Sequence, residues 1–191
     1  MITLTLPDGS TRDVEAPLTG AEFAASISNS LAKKALALKL DGVLVDLATE
    51  IDRDCELAVI TADDEEGVEL MRHDCAHVMA QAVQELFPDT QVTIGPVIED
   101  GFFYDFARET PFSLDDLEPI EKRMRDIVER NEPIVREVWQ RDEAIAHFRE
   151  IGEIYKAEII ADIPGDEPIT VYRQGDWKDL CRGPHLPSTG R

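Results

Sequence analysis

Met71-Arg72-His73-Asp74-Cys75-Ala76-His77 lies near the start of a helical pattern running from Val68 to Phe87. Its two histidines stand four apart, so both imidazoles project from one helical face, a turn apart. At about 100° per residue, Cys75, Met79, Ala82 and Leu86 form an apolar stripe, and Asp74, Gln81 and Glu85 form a wet face. His73 and His77 fall near an edge of that wet sector, beside Leu70, Ala80 and Gln84, which suits the wall of a cleft. Cys75 points away from them and is left out of the site. The helix also divides the chain into a small unit ahead of it and a larger one from Asp63 onward.

Ahead of the helix, residues 1–62 read as a compact α+β unit. Ile2, Leu4 and Leu6 alternate with Thr3 and Thr5 at strand period. Pro7-Asp8-Gly9-Ser10 is turn chemistry, and Thr11 to Ala16 returns as the second strand of a hairpin. Thr19 is an N-cap with Glu22 at the capping-box position, opening a helix expected over Ala21–Ala35. Leu38-Lys39-Leu40, the turn Asp41-Gly42 and Val43-Leu44-Val45 make another hairpin, and Cys55 to Ile60 closes as a strand. Hairpin, helix and further strands are the order of a ubiquitin-like β-grasp. The unit has no histidine, and Cys55 among apolar neighbours reads as a buried structural thiol. Asp63-Asp64-Glu65-Glu66-Gly67 is a polar boundary that also suits a helix N-terminus.

Behind the helix the pattern is again mixed. Val92–Ile98 and Phe102–Phe106 form a strand pair around Glu99-Asp100-Gly101. The aromatics of Phe102-Phe103-Tyr104-Asp105-Phe106 read first as core strand residues and second as a stacking surface. Ser113 caps a helix through Asn131, with Leu117, Ile120, Met124, Ile127 and Val128 as its buried stripe. Pro133–Trp139 is a strand, Arg141–Ile151 a helix carrying an edge histidine, His147, and Glu153–Ile160 a helix carrying Tyr155-Lys156. By residue type alone Lys156 reads as a snorkelling surface lysine. After a loop over Pro164–Pro168 and a strand over Ile169–Tyr172 comes Asp179-Leu180-Cys181-Arg182-Gly183-Pro184-His185, where Gly183-Pro184 marks a bend. The motif is close to the last residue, so this second unit is expected to be truncated at its C-terminal end.

Composition narrows the function classes. The chain has 191 residues, 43% of them hydrophobic, enough for a core in each of two small units. No apolar run of about eighteen residues is present, so no transmembrane helix is expected, and the N-terminus has no signal-peptide pattern. Three scattered cysteines fit a reducing compartment, the cytoplasm. The net charge of −21 opposes non-specific binding of nucleic acid.

Three of the four histidines and two of the three cysteines fall into the two short motifs, and Cys75 points away from the histidines. Three imidazoles and a thiol offer three chemistries: tetrahedral zinc, metal-free hydrolysis with an imidazole taking a proton from water, and a cysteine nucleophile activated by histidine. The residues alone leave these open. They also leave open a zinc-dependent hydrolase or deaminase of a small molecule, and a non-catalytic interaction module with structural histidines.

The motifs in combination are recognisable. Arg72-His73-Asp74-Cys75-Ala76-His77, Ile94-Gly95-Pro96-Val97-Ile98-Glu99-Asp100-Gly101-Phe102-Phe103-Tyr104-Asp105, Tyr155-Lys156 and Asp179-Leu180-Cys181-Arg182-Gly183-Pro184-His185 resemble the N-terminal region of bacterial threonyl-tRNA synthetases. Residues 1–62 resemble the TGS domain of that family. Residues 63–191 resemble its editing domain, an α+β domain related to that of alanyl-tRNA synthetases. The resemblance implies hydrolysis of serine wrongly esterified to threonine tRNA. Serine lacks one methyl relative to threonine, a difference worth only about 1–3 kcal/mol, so a second, smaller site is needed to reject it.

By the same resemblance His73 and Lys156 position and activate the hydrolytic water, and Asp179 binds the serine ammonium. His77, Cys181 and His185 line the pocket, and Gly95 and Tyr104 lie near the terminal adenosine. No metal or other cofactor is expected in this region. The alternative is zinc on His73, His77, Cys181 and His185. ATP, Mg and Zn belong to the catalytic core of the full-length family enzyme, outside this region. The implied partners are the aminoacylated 3′ end of threonine tRNA and the rest of the synthetase, with no membrane. A region so acidic is expected to bind tRNA poorly and to deacylate slowly by itself.

Overall fold

The computed structural model describes residues 1–165 and 167–191. Packing separates two compact units. One comprises Met1–Met71 with Gly183–Pro187 and Arg191, the other Arg72–Arg182 with Ser188–Gly190. The division falls after Met71, inside the histidine helix, where the sequence suggested a boundary after Ala62. The cause is local. Lys39 Nζ meets Glu66 Oε1 at 2.6 Å. Gly67 lies so close to the preceding strand that a Cβ there would sit 1.9 Å from the Thr61 carbonyl oxygen. The first turns of the helix are therefore fastened to the first unit, and the acidic run is more than a solvated link.

In the first unit β1 (Ile2–Thr5) and β2 (Thr11–Val14) form the expected hairpin, with Ile2 opposite Val14. A short β3 (Leu18–Thr19) leads into α1 (Gly20–Ile27). The capping box at its start is complete: Thr19 N–H donates to Glu22 Oε2 at 2.7 Å and Glu22 N–H to Thr19 Oγ1 at 3.3 Å. The single helix expected over Ala21–Ala35 is in fact two. Ser28 is extended, with φ −168° and ψ 153°, and its hydroxyl accepts from Leu31 N–H at 3.0 Å, so it ends α1 and starts α2 (Asn29–Lys34). A serine hydroxyl competes for backbone N–H groups in this way, and the helical period cannot reveal it. Ala35 then opens β4 (Ala35–Leu40) instead of closing a helix.

The turn Asp41-Gly42 has positive φ at both residues, as a tight two-residue hairpin requires, and leads into β5 (Val43–Asp46). β6 (Glu50–Ile51) pairs with β3, and β7 (Cys55–Thr61) enters the sheet parallel to β1 and antiparallel to β4. The strand order β2-β1-β7-β4-β5 with a helix over one face is the β-grasp arrangement. Phe23 and Ala24 of α1 pack in a core with Leu4, Leu38, Ile51 and Leu57. Gly20 permits that approach, since a Cβ there would meet Leu38 at 2.3 Å. Cys55 is buried in the same core, and burial pushes its thiol pKa up, as suits an inert packing residue.

α3 (Glu65–Leu86) continues into the second unit. Its surface is not divided as the periodicity suggested. Asp74 and Gln81, assigned to the wet face, are buried, and Cys75, assigned to the apolar stripe, is exposed. The reason is that a polar face of the helix finds polar partners inside the protein. After α3 the expected strand pair is an interrupted ribbon. β8 (Gln91–Val92) pairs with β11 (Phe106–Ala107), and β9 (Val97–Ile98) with β10 (Gly101–Phe102).

Ser113 caps a 3-10 turn, Leu114–Asp116, ahead of α4 (Leu117–Arg130), and Asn131 ends α4 in the left-handed region. Ile120, Met124 and Ile127 pack against Val78, Ala82 and Val83 of α3. Leu117 and Val128, expected in that stripe, are 56% and 43% exposed. β12 (Ile134–Trp139), β13 (Ile169–Gln174) and β14 (Trp177–Leu180) form an antiparallel sheet in that order. Between β12 and β13 lie α5 (Arg141–Glu150) and α6 (Ile154–Asp162). The expected loop over Pro164–Pro168 includes Asp166, which lies outside the described residues. Strand alternation sends Ile169, Val171 and Leu180 into a core with Ala144, Phe148, Ala157 and Ile160. The same alternation turns Gln174, Trp177 and Asp179 to the opposite face.

Candidate functional site

That opposite face of β14 lies along the polar face of α3. His73 Nε2 is 3.2 Å from Cys181 Sγ, and His77 Nδ1 is 3.4 Å from Asp179 Oδ2. The pairing follows from pitch. Four helical residues rise about 6 Å and two strand residues about 6.6 Å, so one step along α3 matches one step back along β14. Cys181 lies just beyond β14 but keeps strand pairing, with its N–H donating to the Thr170 carbonyl at 3.1 Å. The two imidazoles meet edge to face with centroids 4.8 Å apart. Further along, Gln174 Nε2 donates to Gln81 Oε1 at 2.7 Å, and Trp177 Nε1 donates to Gln84 Oε1 at 2.6 Å.

Asp179 is the centre of the cluster. Lys156 Nζ lies 2.6 Å from its Oδ1, and the Tyr104 hydroxyl donates to its Oδ2 at 3.0 Å. Asp179 is 2% exposed and Lys156 3%. Lys156 is therefore not the surface lysine that residue type alone suggested. It lies in the first turn of α6, and the buried carboxylate supplies the compensation a buried ammonium requires. Burial, with the Asp179 charge next, holds the Tyr104 hydroxyl above its usual range, so it acts as a proton donor to Asp179. Gly95 serves the same arrangement, because a Cβ there would fall 2.2 Å from the Tyr104 ring. Tyr104 also stacks on Phe106 at 5.0 Å.

The second unit thus gathers His73, His77, Gly95, Tyr104, Lys156, Asp179 and Cys181. His185 belongs to the segment Gly183–Pro187 of the first unit, where its backbone N–H donates to Asp46 Oδ1 at 2.9 Å and its side chain is buried. His147 stands apart, packed edge-on against Trp139 and Phe148. The ligand atoms of His73, His77 and Cys181 lie within 4.8 Å of one another. Two imidazole nitrogens and a thiolate at that spacing form a donor set that zinc accepts.

Four partners were not singled out from the sequence: Gln81, Gln84, Glu153 and Trp177. A signal for two of them existed, since Gln81 follows His77 by one turn and Gln84 shares the same face. Glu153 had none. It is 5% exposed, accepts from Val92 N–H at 3.0 Å, and burial pushes its carboxyl pKa up.

Among the described residues no helix is long and apolar enough to cross a membrane. The TGS domain family matches residues 2–61, and the family described as the threonyl and alanyl tRNA synthetase second additional domain matches residues 169–191. Threonine–tRNA ligase of Parvibaculum lavamentivorans is 65% identical over 191 residues, covering 100% of this chain and 29% of the relative. Those of Rhodospirillum rubrum and Thiobacillus denitrificans are 61% and 63% identical, each covering 100% of this chain and 30% of the relative. The chain spans under a third of the length of these curated relatives, with 29% to 30% covered. With a β-grasp unit where the TGS match lies and an α+β unit carrying the second match, the chain belongs to the N-terminal region of the bacterial threonyl-tRNA synthetase family.

Proposed function

We propose that the second unit hydrolyses the ester joining serine to the terminal adenosine of threonine tRNA, as the proofreading part of a longer threonine–tRNA ligase. The observation that carries this reading is the buried Lys156–Asp179 pair, with His77 and Tyr104 on the same carboxylate and His73 one helical turn away. Such a cluster provides proton-transfer and charge-stabilising groups in a fixed geometry, which hydrolysis of an ester needs.

In this reading His73 takes a proton from water as the water oxygen attacks the ester carbonyl. Lys156 holds that water and faces the negative oxygen of the tetrahedral intermediate. The bond to the ribose oxygen then breaks, and that oxygen receives the proton back from the imidazolium. Asp179 receives the serine ammonium. Because its two oxygens already meet Lys156, Tyr104 and His77, the incoming ammonium takes over part of the compensation from Lys156. That exchange frees the lysine for the carbonyl. His77 and Cys181 bound the pocket, and Gly95 with Tyr104 forms the surface for the adenosine. Threonine is excluded by its extra methyl.

A second reading rests on the donor set. His73, His77 and Cys181 would hold zinc, which lowers the pKa of a bound water. Incubating the chain with seryl- and threonyl-tRNA, with and without a chelator, separates the readings. We expect seryl-tRNA to be hydrolysed, threonyl-tRNA to be spared and the chelator to change nothing. The chain must be at high concentration, because the net charge of −21 works against tRNA and the parent enzyme would supply local concentration. Equal survival of seryl-tRNA with the chain and with His73→Ala would sink the proposal.

A further inference from the structure

The three elements that carry the site are also joined by buried and part-buried hydrogen bonds that do not involve His73. Glu153, the residue before α6, accepts from Val92 N–H through Oε2 at 3.0 Å and from the Gln84 side-chain amide through Oε1. Ile154 N–H donates to Gln91 Oε1 at 3.0 Å, so the start of α6 and β8 bind each other reciprocally. The Gln84 amide nitrogen also donates to the Thr90 carbonyl at 3.1 Å, and its oxygen accepts from Trp177 Nε1 at 2.6 Å. Gln84 is on α3, the helix of His73 and His77. Glu153 leads the helix of Lys156, three residues before it. Trp177 is two residues before Asp179 on the same face of β14.

We infer that Glu153 and Gln84 form a positioning pair that sets Lys156 against Asp179, and that this pair tunes the hydrolysis without touching substrate. The inference rests on the function proposed above for the site. Its physical basis is the direction of the hydrogen bonds. Glu153 is met by two donors and needs both of its oxygens as acceptors. Gln84 needs a donor end toward Glu153 and an acceptor end toward Trp177. Neither residue can be replaced by its nearest isostere without placing two like groups face to face. Burial pushes the Glu153 carboxyl upward and the Val92 N–H draws it down, so the donors oppose the cost of burying the charge.

Glu153→Gln and the exchange Gln84→Glu/Glu153→Gln test this. The single variant directs an amide N–H at one of two donors. The exchange restores three of the four hydrogen bonds, because the introduced glutamine accepts from Val92 and donates to the introduced carboxylate, which still accepts from Trp177. We expect Glu153→Gln to lower kcat on seryl-tRNA about tenfold with KM within about twofold, the pattern of a misplaced group that does not bind substrate. We expect the exchange to recover most of that loss. A second readout needs no activity. Acylation of lysines by acetic anhydride, followed peptide by peptide, should label Lys156 about tenfold faster in Glu153→Gln, with exposed Lys122 unchanged, and should slow again in the exchange. Unchanged labelling of Lys156 in Glu153→Gln overturns the inference. So does a labelling gain that the exchange fails to reverse while both variants melt at the same temperature. If the wild-type chain hydrolyses no seryl-tRNA, the proposed function fails, and the labelling still decides whether the pair places Lys156.

Discussion

The two units bury different kinds of surface. From Met1 to Met71 the core is apolar, with Leu4, Phe23, Leu38 and Leu57 fully or almost fully enclosed. No buried polar side chain is found among those residues. In the unit from Arg72 to Arg182, Asp74, His77, Gln81, Thr90, Glu153, Lys156, Thr170, Gln174 and Asp179 are all buried. An apolar core needs only the right volume and period, and tolerates exchange among similar residues. A buried polar cluster needs every donor matched to an acceptor, because each unmatched group costs about 1–3 kcal/mol. The stretch from Met1 to Met71 is therefore held by apolar packing, and the second unit holds polar groups in a geometry that is costly to disturb.

The sharpest way to break this comparison is to remove His73. His73→Ala should lower seryl-tRNA hydrolysis about 10²- to 10⁴-fold, measured by release of serine under single-turnover conditions, as loss of a general base does. Its unfolding free energy should move by no more than about 1 kcal/mol. A loss of stability in step with activity would make the histidine structural and give the second unit the same character as the first.

The buried pair tests the polar arrangement itself. Lys156→Met leaves a carboxylate without its ammonium and should destabilise by about 3–5 kcal/mol in denaturant titration. Lys156→Met/Asp179→Asn should recover much of that stability, because the neutral amide still accepts from Tyr104, but should recover no hydrolysis. Failure of the double variant to regain stability would mean that the charges are worth more than their desolvation costs.

A smaller effect separates surface from interior charge. Arg130 first, then Arg123 and Gln81, hold the Glu85 pKa at about 2 against a reference of 4.5, while burial opposes them. A depressed carboxylate stabilises the fold fully above pH 4.5, and that contribution is lost as pH falls toward about 2. Stability measured down this range should fall more steeply in the wild type than in Glu85→Gln, and equal slopes would remove Glu85 from the account. The smallest effect belongs to the first unit. Thr19→Ala removes one side of the capping box and should cost about 1 kcal/mol, readable as a lower melting temperature with kcat per folded molecule unchanged.

The sequence was most informative where the structure depends on neighbours in the chain. The hairpin at Asp41-Gly42, the capping box of Thr19 and Glu22 and the alternation of Ile2 and Leu4 are local rules, and each is realised. It was least informative where a local rule has two outcomes. Ser28 could continue a helix or cap a new one, and it caps. Asp74 and Gln81 could face water or a polar interior, and they are buried.

The same division runs through the site. Motif spacing alone placed His73 and His77 on one helical face, whereas the strand that sets Trp177 and Asp179 on one face came only with the structure. Periodicity carries that information because it is a property of the backbone. That the two faces meet, that Lys156 turns inward to Asp179, and that Glu153 and Gln84 join their elements were decided only by tertiary packing. A buried charge is stable only beside its partner, and the partner of each is many residues away along the chain.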